Sequence, residues 1–557
     1  SAMADTSRHD GALSPVVGVD NLQTLRANRE HPSQANGRGW TYNHQPMMAY
    51  WNGKFYMHFL SDPAEEHVPP SRTLMQVSED GYNWSQPQIL FPEYDVPAGF
   101  KKAKYQPKPE LQYPDVYKQK PLKAIMHQRV GWYVSKGGIL LATGNYGVAL
   151  DRKDDPNDGN GIGRVVREVK KDGSLGPIYF IYYNHGFNEK NTAYPNYKKA
   201  SKAVRAACEE ILANPRYRMQ WVEEADRGDK LIPLNNGYKA YCDYTLPDGR
   251  IVSLWKHALT SLSLDGGNTY TTTNRALGFV NSNAKIWGQR LTDGSYATVY
   301  NPSEYRWPLG ISLSGDGLEY KTLNLICGEV PPMRYGGNYK SRGPQYVRGI
   351  QEGNGIPKDS DMWVSYSMNK EDIWVAHVPV PVKTVATAHA DDDFAQYQKL
   401  GDLKTWNIYS PLMAPVSLRQ EWLELKDEDP FDYACVERKI PSSSYLKASF
   451  DVQAAQTRNG SLQIEFLDEK GIACTRIELN KEGMIRVKNG ARYGNVMPYQ
   501  ADQTYRFEAT LDTQHRQLNL TVSILDAEGK ALQSKSTRRI FFAPVHQIER
   551  IRLRTGD

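Results

Sequence analysis

The residues that could do chemistry in this chain are cations and aromatics, and they recur at comparable points. His44 stands just ahead of the β-rich run Met47–Trp51, and Met126-His127-Gln128-Arg129 stands ahead of another. Trp255-Lys256-His257 ends a strand-like run, and Lys285-Ile286-Trp287-Gly288-Gln289-Arg290 opens the next. Arg334 precedes Gln345-Tyr346-Val347-Arg348, with Glu352 beyond. Imidazole can act as acid or base near neutral pH. Arg pairs bidentately with carboxylates, and several cations around one pocket suit a uronic acid. His44, His127, His257 and Tyr346 are therefore the candidate catalytic groups. Arg129, Lys256, Lys285, Trp287, Arg290, Arg334, Arg348 and Glu352 are the candidate substrate-binding groups.

Two reactions fit such a set. In β-elimination, a His or Tyr base takes the C5 proton of a uronate while Arg or Lys stabilises the enediolate. In glycoside hydrolysis, two carboxyl groups usually flank the bond. The acidic residues near inner positions are Asp243, Glu304 and Glu352, none in a diagnostic motif. That shortage leans toward a lyase or an unusual His-based hydrolysis. Several residues have plain structural readings. His58 alternates with apolar residues as a packed strand residue would, and Arg306 beside Trp307 reads equally as a blade-packing cation–π group. His185, in Tyr182-Tyr183-Asn184-His185-Gly186, stands before a helical segment.

These residues need elements to position them, and the chain repeats one unit. An apolar strand, a Ser-x-Asp-Gly turn and an aromatic recur at Ser78–Trp84, Ser263–Tyr270 and Ser314–Tyr320, with weaker matches at Lys171-Asp172-Gly173 and Asn369–Asp372. The Ser263 copy fits the Asp-box pattern, in which the carboxylate accepts backbone N–H bonds and Gly supplies the positive φ. Asn52-Gly53 between two β-rich runs marks a hairpin. Each copy sits late in a four-strand unit, the later units covering 123–183, 236–275, 283–328 and 344–380. This predicts a β-propeller of at least five blades, with 14–42 and 93–122 open to supplying more strands. Ser201–Ala213 has helical periodicity and predicts a helical insertion at 186–230, expected on the face that carries the functional loops. Residues 383–405 read as a linker. From 406 to 557, alternating strands such as Tyr445–Val452, Ser461–Phe466 and Leu518–Leu525 predict a jelly-roll-like β-sandwich.

Composition bounds the rest. The chain has 557 residues, too many for a single core of ~250–300. Its net charge of +5 is too dilute for a nucleic-acid footprint. No apolar run approaches the ~18 residues of a membrane helix. Five scattered cysteines without a CxxC exclude a dense disulfide framework and a zinc ribbon, leaving room for one bridged pair. Asp151–Gly161 resembles a calcium loop in composition but not in ligand spacing, and reads as a solvated turn; no metal or cofactor is required. Lys101–Lys108 reads as an exposed basic loop. Ser1–Ala4 reads as a cloning remnant and residues 1–13 as a tag and disordered lead-in, so we take a signal peptide to have been removed.

Tyr42–Pro46, Gly53–Tyr56 and Arg72–Trp84 resemble the first blade of sialidase-like propeller enzymes. Gly163–Val169 through Tyr179, Asn301–Leu309 and Ser367–Ile373 resemble the propellers of rhamnose–glucuronate hydrolases and ulvan-type lyases. The resemblance covers roughly residues 40–382. It implies a secreted or periplasmic enzyme from a bacterial degradation locus, acting on an acidic plant or algal polysaccharide. Rhamnosidase-type propellers use a His at a position like His44; lyase types use a His/Tyr base with an Arg neutraliser. The expectation is an exo-acting glycoside hydrolase on a uronate-containing, rhamnose-capped glycan, working as a monomer. A lyase and a non-catalytic glycan-binding propeller are the alternatives.

Overall fold

The computed structural model describes residues 4–102, 104–126, 131–184, 186–220, 239–276 and 284–556. The candidates His127, Arg129 and His185 lie outside the described residues. The chain divides into two compact units, one of residues 1–11 and 23–381, the other of 12–22 and 382–557.

The first unit is built from five antiparallel sheets among the described residues. Four are consecutive meanders: Tyr42–Trp51 to Gln88–Phe91, Gly131–Val134 to Leu175–Tyr183, Cys242–Thr245 to Asn274–Arg275, and Trp287–Arg290 to Asn324–Cys327. The fifth is Pro344–Gly349, Met362–Met368 and Asp372–Val378, closed by residues 23–25 from near the N-terminus. Thr24 Oγ1 donates to the Ile373 carbonyl and the Ala27 N–H to Asp372 Oδ1. Pairing the first and last strands of this unit in one blade removes the free edges an open ring would expose. Among the described residues the unit is a five-bladed propeller. The segment 93–122 forms loops and short 3₁₀ turns rather than a further blade.

The second strands are apolar and wholly buried, as sheets packed on both faces require. Between the third and fourth strands of blades 1, 3 and 4 the Ser-x-Asp turns are built alike. The Ser hydroxyl bonds Asp80, Asp265 or Asp316, and that carboxylate accepts further backbone N–H groups. Gly81, at φ +80°, leaves room for the Trp363 ring, which would lie 2.3 Å from a Cβ there. Lys171–Gly173 occupies the equivalent place in blade 2. Asn369–Asp372 does not: it joins the second and third strands of blade 5, at the opposite end of the blade. Its Asn and Asp mimic the turn composition without the strand context.

The helix runs Lys202–Ala213, capped by the Ser201 hydroxyl on the Val204 N–H. Val204, Ala207, Cys208 and Ile211 pack on Leu141, Val166 and Ile181 of blade 2. Glu210 accepts from the Lys136 N–H in the first hairpin turn of that blade, and Arg216 lies against Gly267 in the Ser-x-Asp turn of blade 3. The insertion therefore sits on the end opposite the second-to-third-strand turns, not on the face expected from the sequence. Its apolar stripe follows the flank of blade 2, and that flank leads to the hairpin end.

Residues 5–11, expected to be a disordered lead-in, are ordered. The Asp5 N–H donates to the Gly11 carbonyl, Arg8 pairs with Asp10, and His9 meets Trp307 edge-on at 5.0 Å. Lys102, in the run expected to be exposed, is buried. Its ammonium donates to Asp154 Oδ1, the Asp155 carbonyl and Asp158 Oδ2, each at 2.9 Å. The acidic loop at 151–161 thus converges on a lysine.

The second unit is a two-sheet sandwich. One sheet orders Trp406–Ser410, Cys435–Ser443, Ile548–Thr555, Leu462–Leu467, Ala473–Leu479, Met484–Asn489 and Arg492–Pro498, with residues 20–22 added in parallel beside Trp406–Ser410. The other orders Tyr445–Gln453, Thr504–Asp512, Gln517–Leu525 and Ala531–Ile540. Alternate residues of both meet in one core of Phe466, Ile477, Val487, Phe507, Leu518 and Leu520. The stretch expected as a linker packs on this unit. Phe394, Tyr397 and Leu400 lie on the cluster of Leu403, Trp406 and Val436, and Asp392 accepts from Tyr397 and Trp406. All five cysteines are free and buried, so no pair is bridged. No helix among the described residues is long and apolar enough to cross a membrane.

Candidate active site

Two inner strands carry a β-bulge at matching places. In Tyr42–Trp51 the register slips between His44 and Met47, and in Pro344–Gly349 between Gln345 and Arg348. At each slip one non-glycine residue takes the left-handed region, Gln45 at φ +60° and Tyr346 at +56°. Such backbone costs of order 1–3 kcal/mol per residue and persists only where surrounding contacts enforce it. Here the bulges bring the two side chains to a common centre. His44 stacks on the Tyr346 ring, centroids 4.3 Å apart, and its Nδ1 lies 2.6 Å from Ser367 Oγ.

Four cations surround the Tyr346 ring. Lys256 Nζ lies 4.9 Å from its centroid, Arg306 5.0 Å, Lys285 5.1 Å and Lys370 5.9 Å. Lys256 Nζ is also 2.7 Å from the phenol oxygen. Each comes from a different loop. Lys256, Arg306 and Lys370 sit on the second-to-third-strand turns of blades 3, 4 and 5, and Lys285 leads into the inner strand of blade 4. Lys285 donates to Gln45 Oε1, and Arg306 Nη1 donates to Gln345 Oε1 at 2.6 Å.

The corresponding turn of blade 1 supplies the acids. Glu66 Oε2 lies 3.1 Å from Lys370 Nζ. Asp62 is fully buried opposite Tyr42, and among the described residues neither of its oxygens has a well-formed hydrogen bond, Ser71 being the nearby hydroxyl. Burial first, then the Glu66 charge, pushes the Asp62 carboxyl well above the usual carboxylate range. Burial brings Lys370 down to about 8, against which Glu66 pulls upward. Burial, then the Lys370 ammonium, holds His44 well below its ordinary value, and the imidazole is neutral. Tyr42 is driven well above the phenol range by burial, with Glu66 and Asp62 adding to it.

The sequence-derived candidates divide. His44, Lys256, Lys285 and Tyr346 converge. His257 is exposed on the turn where Lys256 points inward. Trp287 is buried against Gly349, its indole N–H donating to Gln289. Arg290 lies at the far end of its strand, over Tyr296. Arg334 grips Asp372 with both terminal nitrogens at 2.7 Å and reaches the Ala27 carbonyl, so it fastens the closing strand of blade 5. Arg348 is buried on the Ile286 and Ala240 carbonyls, tying blades together. Glu352 accepts from Thr245 and from Arg216, which also grips Asp243. Glu66, Asp62, Lys370 and Tyr42 were not singled out by sequence reasoning. The one signal they share is position, on or beside turns that join second and third strands.

Comparisons with known proteins follow the same division. A family model described as BT_1020-like, N-terminal beta propeller, matches residues 1–238, and one described as sialidase-like, CBM domain, matches 406–557. No match was found among curated proteins. A solved structure described as a sialidase is 62% identical with a TM-score of 0.93, covering 100% of this chain and 50% of that one. The chain thus spans half the length of that protein. A Trypanosoma rangeli sialidase in complex with the inhibitor DANA is 12% identical with a TM-score of 0.37, covering 97% of this chain and 96% of that one. A protein described as a glycoside hydrolase is 10% identical with a TM-score of 0.29, covering 93% and 96%. Two domain models thus match this chain, a β-propeller over residues 1–238 and a sialidase-like CBM domain over 406–557, and the whole chain is similar in structure to that sialidase.

Proposed function

We propose that this protein is an exo-acting glycoside hydrolase that removes a terminal sugar bearing a carboxylate from an acidic polysaccharide. The observation that carries this reading is the ring of Lys256, Lys285, Arg306 and Lys370 around Tyr346. Like charges gathered in a buried site are costly and need a compensating anion. Glu66 Oε2 pairs with Lys370 at 3.1 Å. A sugar carboxylate brought among these cations would be held by charge-assisted contacts.

The chemistry follows from the same atoms. The Tyr346 oxygen is the nucleophile, a role open to phenols: its proton passes to water, the oxygen bonds the anomeric carbon, and the glycosidic bond breaks with the electron pair leaving on the glycosidic oxygen. Lys256, at 2.7 Å, holds that oxygen in place and stabilises charge on it. Lys285 and Arg306 grip the substrate carboxylate. Asp62, whose carboxyl burial pushes well above the usual carboxylate range, is the proton source for the leaving oxygen. A covalent intermediate on Tyr346 is released by water, so the anomeric configuration is retained. The 62% identical protein described as a sialidase supports a hydrolase over a lyase. Such a substrate places the work outside the cytoplasm, in the periplasm or the medium.

The excess of cations over carboxylates also suits β-elimination, with Tyr346 as base. One assay separates the readings. The protein is incubated with a panel of uronate polysaccharides, following absorbance at 235 nm and the NMR spectrum of released sugar. Free sugar in the retained configuration without absorbance is expected. Growth at 235 nm would replace the hydrolase with a lyase, and tight binding with neither signal would make this a glycan-binding propeller.

A further inference from the structure

We propose that Tyr339 and His67 form a stacking platform for the sugar next to the one cleaved, on the leaving-group side. This rests on the hydrolase reading above. Tyr339 is 50% exposed, and its ring lies 5.5 Å from that of His67, tilted by 49°. The pair stands over the acidic edge of the cationic ring. Lys370 Nζ donates to the Tyr339 carbonyl at 2.7 Å and to Glu66 at 3.1 Å. The Glu66 N–H donates to the Asn338 carbonyl. Each aromatic is therefore fixed by backbone to one partner of the Glu66–Lys370 pair.

The mounting is rigid and strained. Tyr339 lies at φ +62° and His67 at +66°. A bulky side chain in that region is an outlier, where glycine would sit freely. The Tyr117 hydroxyl holds the His67 carbonyl at 2.9 Å. Lys340, the residue after Tyr339, is pinned between Glu371 and the Tyr335 carbonyl. A half-exposed aromatic on such a backbone presents a face at a fixed height, which suits the apolar face of a pyranose ring.

Geometry assigns the side. Asp62, the proton source for the leaving oxygen, belongs with Glu66 to the same end of blade 1 as His67. Lys285 and Arg306, which hold the carboxylate of the departing terminal sugar, belong to blade 4. A sugar oriented by those cations directs its glycosidic oxygen toward blade 1, and the next residue of the chain then lies under Tyr339 and His67.

The test compares Tyr339→Asn and His67→Asn with wild type on two substrates, Asn being tolerant of positive φ. One substrate is an oligosaccharide fragment from ulvan or pectin whose terminal sugar the wild type releases. The other is the glycosyl fluoride of that sugar, which has no neighbouring ring. The kcat/KM ratio of oligosaccharide to fluoride is expected to fall about tenfold in each variant, with the melting temperature unchanged. An unchanged ratio overturns the platform. If wild type cleaves neither substrate, the hydrolase reading is what has failed. Calorimetric binding of the same fragments then decides the platform: weaker binding by Tyr339→Asn supports it, and equal binding overturns it.

Discussion

Lys256 Nζ sits 2.7 Å from the Tyr346 oxygen, although the two residues are 90 positions apart and come from different blades. Lys256 is carried on a tight turn of blade 3, Tyr346 on a bulge in the inner strand of blade 5. In the proposed mechanism their meeting poises a phenol on a strand for reaction. It would also make the turn of blade 3 part of the chemistry, although that turn is remote in sequence from the oxygen it serves.

Tyr346→Phe removes the nucleophile and leaves the ring that His44 and the cations pack against. We expect kcat to fall by roughly a thousandfold or more with KM changed little, as when a group that acts only in the transition state is deleted. Thermal unfolding should be near that of wild type. Steady-state kinetics beside circular dichroism checks both, and a variant with full kcat would remove Tyr346 from the mechanism.

Lys370 sets an alkaline limit. It is charged below about 8 and loses its proton above, because burial lowers it. Binding of an anionic sugar should therefore weaken as pH rises through about 8, read as a rising KM, and Lys370→Met should lose that limb. Stability should move the other way. Between about 8 and the ordinary lysine range the unfolded chain binds the extra proton, so this residue makes the fold more stable as pH rises there. Denaturant titrations at pH 8 and 10 on wild type and variant test the sign.

Asp62→Asn removes the proposed proton donor while keeping the shape of a side chain whose carboxyl burial pushes well up. The loss in kcat/KM should be large, of order 10²–10⁴, for a sugar leaving group and small for an activated aryl leaving group that needs no proton. Equal losses on both would assign the proton to another residue.

Arg348→Met should act on stability and not on the reaction. Its guanidinium bonds the buried Ile286 and Ala240 carbonyls, and deleting it strands that of Ala240 and leaves that of Ile286 to the weak Cys242 thiol donor. A destabilisation of about 2–4 kcal/mol is expected, since each stranded buried group costs about 1–3. KM on surviving folded protein should hold. A raised KM without loss of stability would return Arg348 to the list of substrate groups.

Lys102→Met leaves Asp154 and Asp158 facing each other without the buried ammonium between them. Breaking a buried ion pair from one side costs about 3–5 kcal/mol. Asp154, near 6 even with its lysine, should then titrate higher still, so the loss should be smaller at pH 5 than at pH 8. Chemical unfolding at the two pH values reads this directly.

The sequence by itself determined what depends on short-range periodicity. Alternating strands, the Asn52-Gly53 hairpin, the Ser-x-Asp turns and the helical period of Ser201–Ala213 each act over short stretches, and they delivered a propeller, a helix and a sandwich. Because candidate residues were sought at strand ends, His44, Lys256, Lys285 and Tyr346 were legible too. Tertiary structure decided everything that depends on closing the ring. Arg334, Arg348 and Glu352 look as free in the sequence as Lys256, yet each is taken up by a partner from another element, at Asp372, Ile286 and Thr245. Glu66, Asp62 and Lys370 gain meaning only when blades 1 and 5 lie side by side and burial changes which of them holds a proton. Charge, burial and strain are properties of that assembled centre, and no local pattern encodes them.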